Sequence, residues 1–172
     1  KPDKMPYSFW THMPGTDLDP EAISQKTYEF YKKYDFDFVK TMNNGMYAIE
    51  DFGCTVDYSE IVKGGVAKVV STPISCAADW RKLTVCPCTQ GSNARELRHL
   101  QLVLEKLKGE EVPVIFTAFT PITIADKISG GKLISYIEEG HGDDVKAALE
   151  VITETTAQLV AAMETDDLTL KS

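Results

Sequence analysis

Three polar or aromatic groups stand where a strand-like run gives way to a turn. His12 lies in Thr11-His12-Met13-Pro14-Gly15-Thr16-Asp17 after Met5–Trp10, and Asn43 lies in Met42-Asn43-Asn44-Gly45 after Phe36–Met42. Phe119 opens Phe119-Thr120-Pro121 after Val112–Ala118. In (β/α) folds the residues just past strand C-termini build the active site. His12 brings a titratable imidazole and Asn43 a neutral amide that donates and accepts without carrying charge. These two are the expected catalytic residues, with Asp17, Asn44, Tyr47, Glu50 and Phe119 expected to bind substrate. Each also has a plain structural role open to it. His12 suits a loop, Asn43 and Asn44 suit a turn before glycine, Asp17 suits the turn before Asp19, and Tyr47 and Glu50 suit a short helix. His99 and His141 read as surface or helix residues.

No metal site is expected. Cys54, Cys76, Cys86 and Cys88 lack paired C-x-x-C spacing, so they read as reduced, unliganded thiols, although Cys86-Pro87-Cys88 would let both sulfurs reach one ion. A net charge of −8 with scattered basic residues argues against nucleic-acid or membrane-surface partners, which need a concentrated basic face. No run approaches about 18 apolar residues and no signal-like h-region follows Lys1, so the expected location is the cytoplasm.

The elements that must position these residues alternate between strand and helix. Asp19-Pro20-Glu21 predicts a helix start with Asp as N-cap and Pro at the first helical position. Ile23, Thr27, Phe30, Tyr31 and Tyr34 then share one helical face. A short helix over Met46–Phe52 ends at Gly53, Val66–Val70 has strand character, and Ser92 is the expected cap of a helix striped with Leu97, Leu100, Leu104 and Leu107 and closed by Gly109. Val112–Ala118 is the most continuously apolar strand, as burial on both faces requires. A last helix starts near Asp143 or Asp144 and runs to about Glu164, leaving the charged stretch Asp166–Ser172. The expected fold class is α/β: one domain over residues 1–172, a partial TIM-type (β/α) barrel holding roughly the first half of an eight-stranded fold that needs about 250 residues.

Several stretches occur in order over nearly the whole chain: Met5-Pro6-Tyr7-Ser8-Phe9-Trp10, Tyr28-Glu29-Phe30-Tyr31 followed by Asp35–Lys40, Ile49-Glu50-Asp51-Phe52-Gly53, and Val112–Phe116 running into Thr120-Pro121-Ile122-Thr123. Together they resemble the N-terminal half of the uroporphyrinogen decarboxylase superfamily. The resemblance implies cofactor-free removal of carboxylate from a tetrapyrrole or related substrate, the lyase chemistry of porphyrin biosynthesis. In that reaction a carboxylate after an early strand holds the pyrrole N–H groups, and arginines after the first strand neutralise the substrate's acids. The chain departs at both places: Thr11–Asp17 contains no arginine, and Met42-Asn43-Asn44 stands where the acid is expected.

Corrinoid-linked methyltransferases share this superfamily, and the resemblance places their zinc ligands in the later half of the barrel. Three expectations follow. One is a decarboxylase-like lyase once the barrel is complete, another a methyltransferase working with a corrinoid protein, and the third a non-catalytic half-barrel that is inactive alone and inclined to form a homodimer. A small-molecule substrate is common to the first two, and no cofactor is expected on this chain.

Overall fold

A computed structural model describes residues 4–164. Its centre is a pair of short parallel strands, β1 (Val39–Lys40) and β4 (Val114–Ile115), with Val39 opposite Val114 and Lys40 opposite Ile115. The Val39 N–H donates to Pro113 O at 2.8 Å and the Thr41 N–H to Ile115 O at 2.9 Å. Between the two strands run helix α2 (Tyr47–Glu50), an antiparallel hairpin of β2 (Thr55–Asp57) and β3 (Lys68–Ser71), and helix α3 (Gly91–Lys106). Helix α1 (Pro20–Tyr34) precedes β1 and packs on α3; α4 (Pro121–Ile128), α5 (Leu133–Tyr136) and the 22-residue α6 (Gly142–Met163) follow β4.

The starts of α1 and α4 follow the sequence rules directly. Asp19 Oδ1 accepts from the Glu21 and Ala22 N–H groups with Pro20 at the first position, and Thr120 Oγ1 accepts from the Thr123 N–H ahead of Pro121. One apolar cluster gathers Ile49, Trp80, Ile124, Ile128, Val145 and Ile152. A second, around β1 and β4, gathers Val39, Leu100, Val103, Val114 and Leu159. Each fully buried aliphatic side chain stabilises by about 1.5–3 kcal/mol, so α3 and α6 are held chiefly by these stripes.

The fold is mixed α/β, but the described residues form two separate two-stranded sheets and no barrel. The strand expected over Met5–Trp10 is not assigned either. That segment shares one backbone bond with its neighbour, from the Asp37 N–H to Tyr7 O at 3.0 Å, while the Tyr7 N–H goes to the Asp37 carboxylate at 2.9 Å. A side chain thus takes the donor that a ladder would need, and Met5 and Phe9 stay exposed. The hairpin strand β2 had no clear sequence signal, its valine alternating with threonine and aspartate over only three residues. No helix among the described residues is long and apolar enough to cross a membrane. The expected charged stretch Asp166–Ser172 lies outside the described residues.

Candidate functional site

A buried polar network gathers where the chain leaves β1. The Thr41 hydroxyl donates to Asn43 Oδ1 at 2.6 Å, and Asn43 Nδ2 donates to Glu96 Oε2 at 3.0 Å. Asn44 Oδ1 accepts from the Met46 N–H at 2.8 Å, a side-chain turn that leads into α2, and lies 3.2 Å from the Tyr58 hydroxyl. That hydroxyl is 2.8 Å from Glu50 Oε1. Arg95 joins the two ends, its Nη2 at 2.9 Å from Glu50 Oε2 and its Nε at 3.2 Å from Glu96 Oε1. Behind Glu96, His99 Nδ1 lies 3.7 Å from Oε2 and its Nε2 3.5 Å from Thr27 Oγ1. Asp17 accepts from the Gly15 N–H at 3.1 Å and hydrogen-bonds the Asn44 side chain.

Helix α3 carries three of these groups, and Asp51 sets its place. The Asp51 carboxylate, at the end of α2, accepts from the Ser92 N–H at 2.7 Å and the Asn93 N–H at 2.8 Å. An acid that takes the first free N–H groups also meets the positive end of the helix dipole. Gly91 fits this arrangement because its φ is +68° and a Cβ there would collide with the Asp51 carboxylate. Ser92 is therefore not the cap expected from sequence. Gln90 occupies the N-cap position without a side-chain bond, and the Ser92 hydroxyl donates instead to Tyr47 O at 2.7 Å.

Charge in the network is unbalanced, with Asp17, Glu50 and Glu96 facing the single guanidinium of Arg95. Burial pushes the Asp17 carboxyl above the usual carboxylate range, against the pull of its bonds to Asn44 and Gly15, and the Glu96 charge adds to the rise. Burial likewise raises the Tyr58 hydroxyl, assisted by its bond to Glu50. At Arg95 burial opposes the charge, but Glu50 and Glu96 override it and hold the guanidinium protonated. Such an arrangement orients hydrogen bonds around the end of β1. Its one cation is already engaged by two carboxylates.

Of the residues expected to act, Asn43, Asn44, Asp17 and Glu50 are brought together here. His12 is exposed, and its ring sits edge-on to Trp10 at 5.0 Å; the Trp10 face in turn holds Lys40 Nζ at 4.0 Å. Tyr47 belongs to the core, 2% exposed, with its hydroxyl donating to Thr117 O at 3.1 Å and its ring 5.9 Å from Phe119. Tyr47 and Phe119 line a small cavity with Phe52, Asn93, Ile124 and Leu159, apart from the hydrogen-bonded cluster. Arg95, Glu96, His99 and Tyr58 escaped sequence reasoning. Glu96 and His99 are each 1% exposed and fall on the same helical stripe as Leu100, Val103 and Leu107. Charged residues in register with an apolar face were the available signal, and His99 is not a surface residue.

Among the described residues, no group of three or more His, Cys, Asp or Glu side chains is placed to hold a metal ion. Cys54 and Cys86 are buried, and burial pushes both thiols up to about 11. Cys86 Sγ lies 3.3 Å from Asp51 O. Neither is a poised thiolate.

No curated protein matches the chain in sequence. Among solved structures, a methyltransferase from Methanosarcina mazei has the same fold, with a TM-score of 0.71 at 19% identity over 88% of this chain and 44% of that one. The chain thus spans less than half the length of that neighbour. The family model described as uroporphyrinogen decarboxylase (URO-D) matches residues 7–166. That match takes in both parallel strands, the Asp17–Asn44 turn region and the whole of α3, and the chain belongs to the uroporphyrinogen decarboxylase family.

Proposed function

We propose that the whole protein transfers a methyl group in concert with a corrinoid partner, and that this chain supplies the N-terminal part of its single (β/α) barrel domain, where a small neutral or cationic substrate is positioned. The observation that carries this reading is the internal commitment of the polar groups at the end of β1. Decarboxylation of uroporphyrinogen needs acceptors for pyrrole N–H groups and cations for several carboxylates. Here Asn43 Oδ1 is taken by Thr41, Asn44 Oδ1 by the Met46 N–H, and Arg95 by Glu50 and Glu96. No arginine stands in Thr11–Asp17. Three carboxylates around one guanidinium repel a polyanion, most strongly where water is excluded.

The methyltransferase fold neighbour supports the same choice at the level of fold alone. Zinc, which the resemblance places in the later half of the barrel, has no donor set among the described residues. The part played by these residues is to bind and orient: Asp17 accepts from the Gly15 N–H and is tied to the Asn44 side chain, while Glu50 and Glu96 fix Arg95. The test uses the full-length protein in two assays, methyl transfer read from the corrinoid absorption spectrum and CO₂ release from uroporphyrinogen. Methyl transfer without CO₂ release is the expected outcome. Multiple turnovers of uroporphyrinogen would refute the reading and return the protein to the decarboxylases.

A further inference from the structure

The hairpin between Gly53 and Pro73 is joined to the rest of the molecule in an unusual way. The chain leaves the core at buried Cys54 and returns at Ile74, 2% exposed. Its two ends meet: a Cβ on Gly53, whose φ is +101°, would lie 3.8 Å from Pro73 Cβ. Between them β2 and β3 pair only with each other, and the tip closes on itself through bonds from the Gly64 N–H to Ile61 O and from the Gly65 N–H to Glu60 O. Ser59 and Lys63 also bond within the hairpin. Val62, Val66 and Val70 point outward, 88%, 70% and 65% exposed.

Among the described residues, the hydrogen bonds that leave residues 55–71 are those of the Tyr58 hydroxyl, to Glu50 Oε1 at 2.8 Å and Asn44 Oδ1 at 3.2 Å. A hydroxyl has one proton and two acceptors here, so the shorter, charge-assisted contact to Glu50 takes it. Ile61 Cγ2 lies beside the turn at Gly15, where an added Cβ would meet it at 3.4 Å, two residues before Asp17. A two-stranded hairpin is marginal by itself. Among the described residues, this one is hydrogen-bonded to the end of β1 through the Tyr58 hydroxyl.

We propose that residues 55–71 are a lid over the polar network, hinged where Gly53 meets Pro73, with Tyr58 as the latch that shuts it on Glu50 and Asn44. The inference rests on reading the end of β1 as the site. When the latch releases, Glu50 Oε1 and the Tyr58-facing side of Asn44 Oδ1 open to an incoming ligand, while Arg95 keeps Glu50 Oε2 and Glu96, and the Met46 N–H keeps Asn44. The hinge is built for this. Gly53, at φ +101°, can absorb the backbone change, while Pro73 keeps the returning end stiff, so the strands can swing as a body without breaking their ladder.

The test is a distance measurement in the full-length protein that needs no turnover, so it can fail independently of the methyl-transfer reading. Spin labels go on Val62→Cys at the lid tip and Lys146→Cys on α6, with Cys76→Ser and Cys88→Ser to remove the accessible native thiols. The parent should give one narrow distance distribution. Tyr58→Phe, which removes only the latch oxygen, should add a second, longer population, because loss of a hydrogen bond to a charged group shifts such an equilibrium about tenfold or more. An unchanged distribution in Tyr58→Phe overturns the lid. So does loss of the helical circular-dichroism signal, which would make Tyr58 a brace for the fold.

Discussion

Replacing Asp51 with alanine tests how much one carboxylate contributes to the seating of α3. The substitution removes acceptors from the Ser92 and Asn93 N–H groups, now at 2.7 and 2.8 Å. Loss of a helix cap costs about 0.5–2 kcal/mol, and loss of the negative charge at the helix N-terminus adds about 0.3–1 kcal/mol. Asp51 is half-buried, but Ser92 and Asn93 are buried, so their orphaned donors gain little water and a loss of at least about 2 kcal/mol is expected. Asp51→Asn keeps one acceptor oxygen and should lose about half as much. In urea titrations of the full-length protein a slope of about 2 kcal/mol per molar converts the alanine loss into a midpoint shift of at least about 1 M. A shift under about 0.25 M, or an asparagine variant weaker than the alanine one, would refute the assignment of Asp51 as the cap of α3.

Two further outcomes follow from the same structure. Asp17 has a raised folded-state pKa, so the folded protein holds that proton more tightly than the unfolded chain does. Its contribution is most favourable below the unfolded carboxylate value and is lost as pH rises through the folded one. The wild type should therefore lose stability relative to Asp17→Asn as the pH rises above the ordinary carboxylate value of about 4; urea midpoints whose difference stays flat as the pH rises would contradict the burial of Asp17. At the other end of the core the Cys86 N–H donates to Thr155 Oγ1 at 3.1 Å. Thr155→Val keeps the shape but strands that buried donor, and calorimetry should show a loss of about 1–3 kcal/mol, with no measurable loss arguing for a water in its place.

The sequence carried the helices well because their signals are local. Asp19-Pro20 and Thr120-Pro121 set helix starts through bonds within three residues, and the stripe from Val145 to Met163 declares one buried face of α6. Half of the site was legible for the same reason, since Asp17, Asn43, Asn44 and Glu50 lie close to strand ends or turns. What stayed hidden depends on distant partners. Asp51 caps a helix some 40 residues further on, Tyr58 reaches back from an exposed hairpin, and Glu96 is buried only because Asn43 and Arg95 satisfy it. Met5–Trp10 failed as a strand for the same reason: the Asp37 side chain, 30 residues away, takes the Tyr7 N–H that a ladder requires.

The pairing of β1 with β4 also bears on the order in which the molecule assembles. Val39 and Val114 are about 75 residues apart in sequence, and closing so long a loop costs entropy before any ladder bond repays it. Two residues per strand are too few to nucleate across that distance. Contacts of α2 with α3 would shorten the effective loop first, through the Asp51 carboxylate on the start of α3, the Ser92 hydroxyl on Tyr47 O and the Arg95–Glu50 pair. A long-range closure is therefore the expected limit on folding speed, with the central strands expected to pair only after α2 and α3 have met.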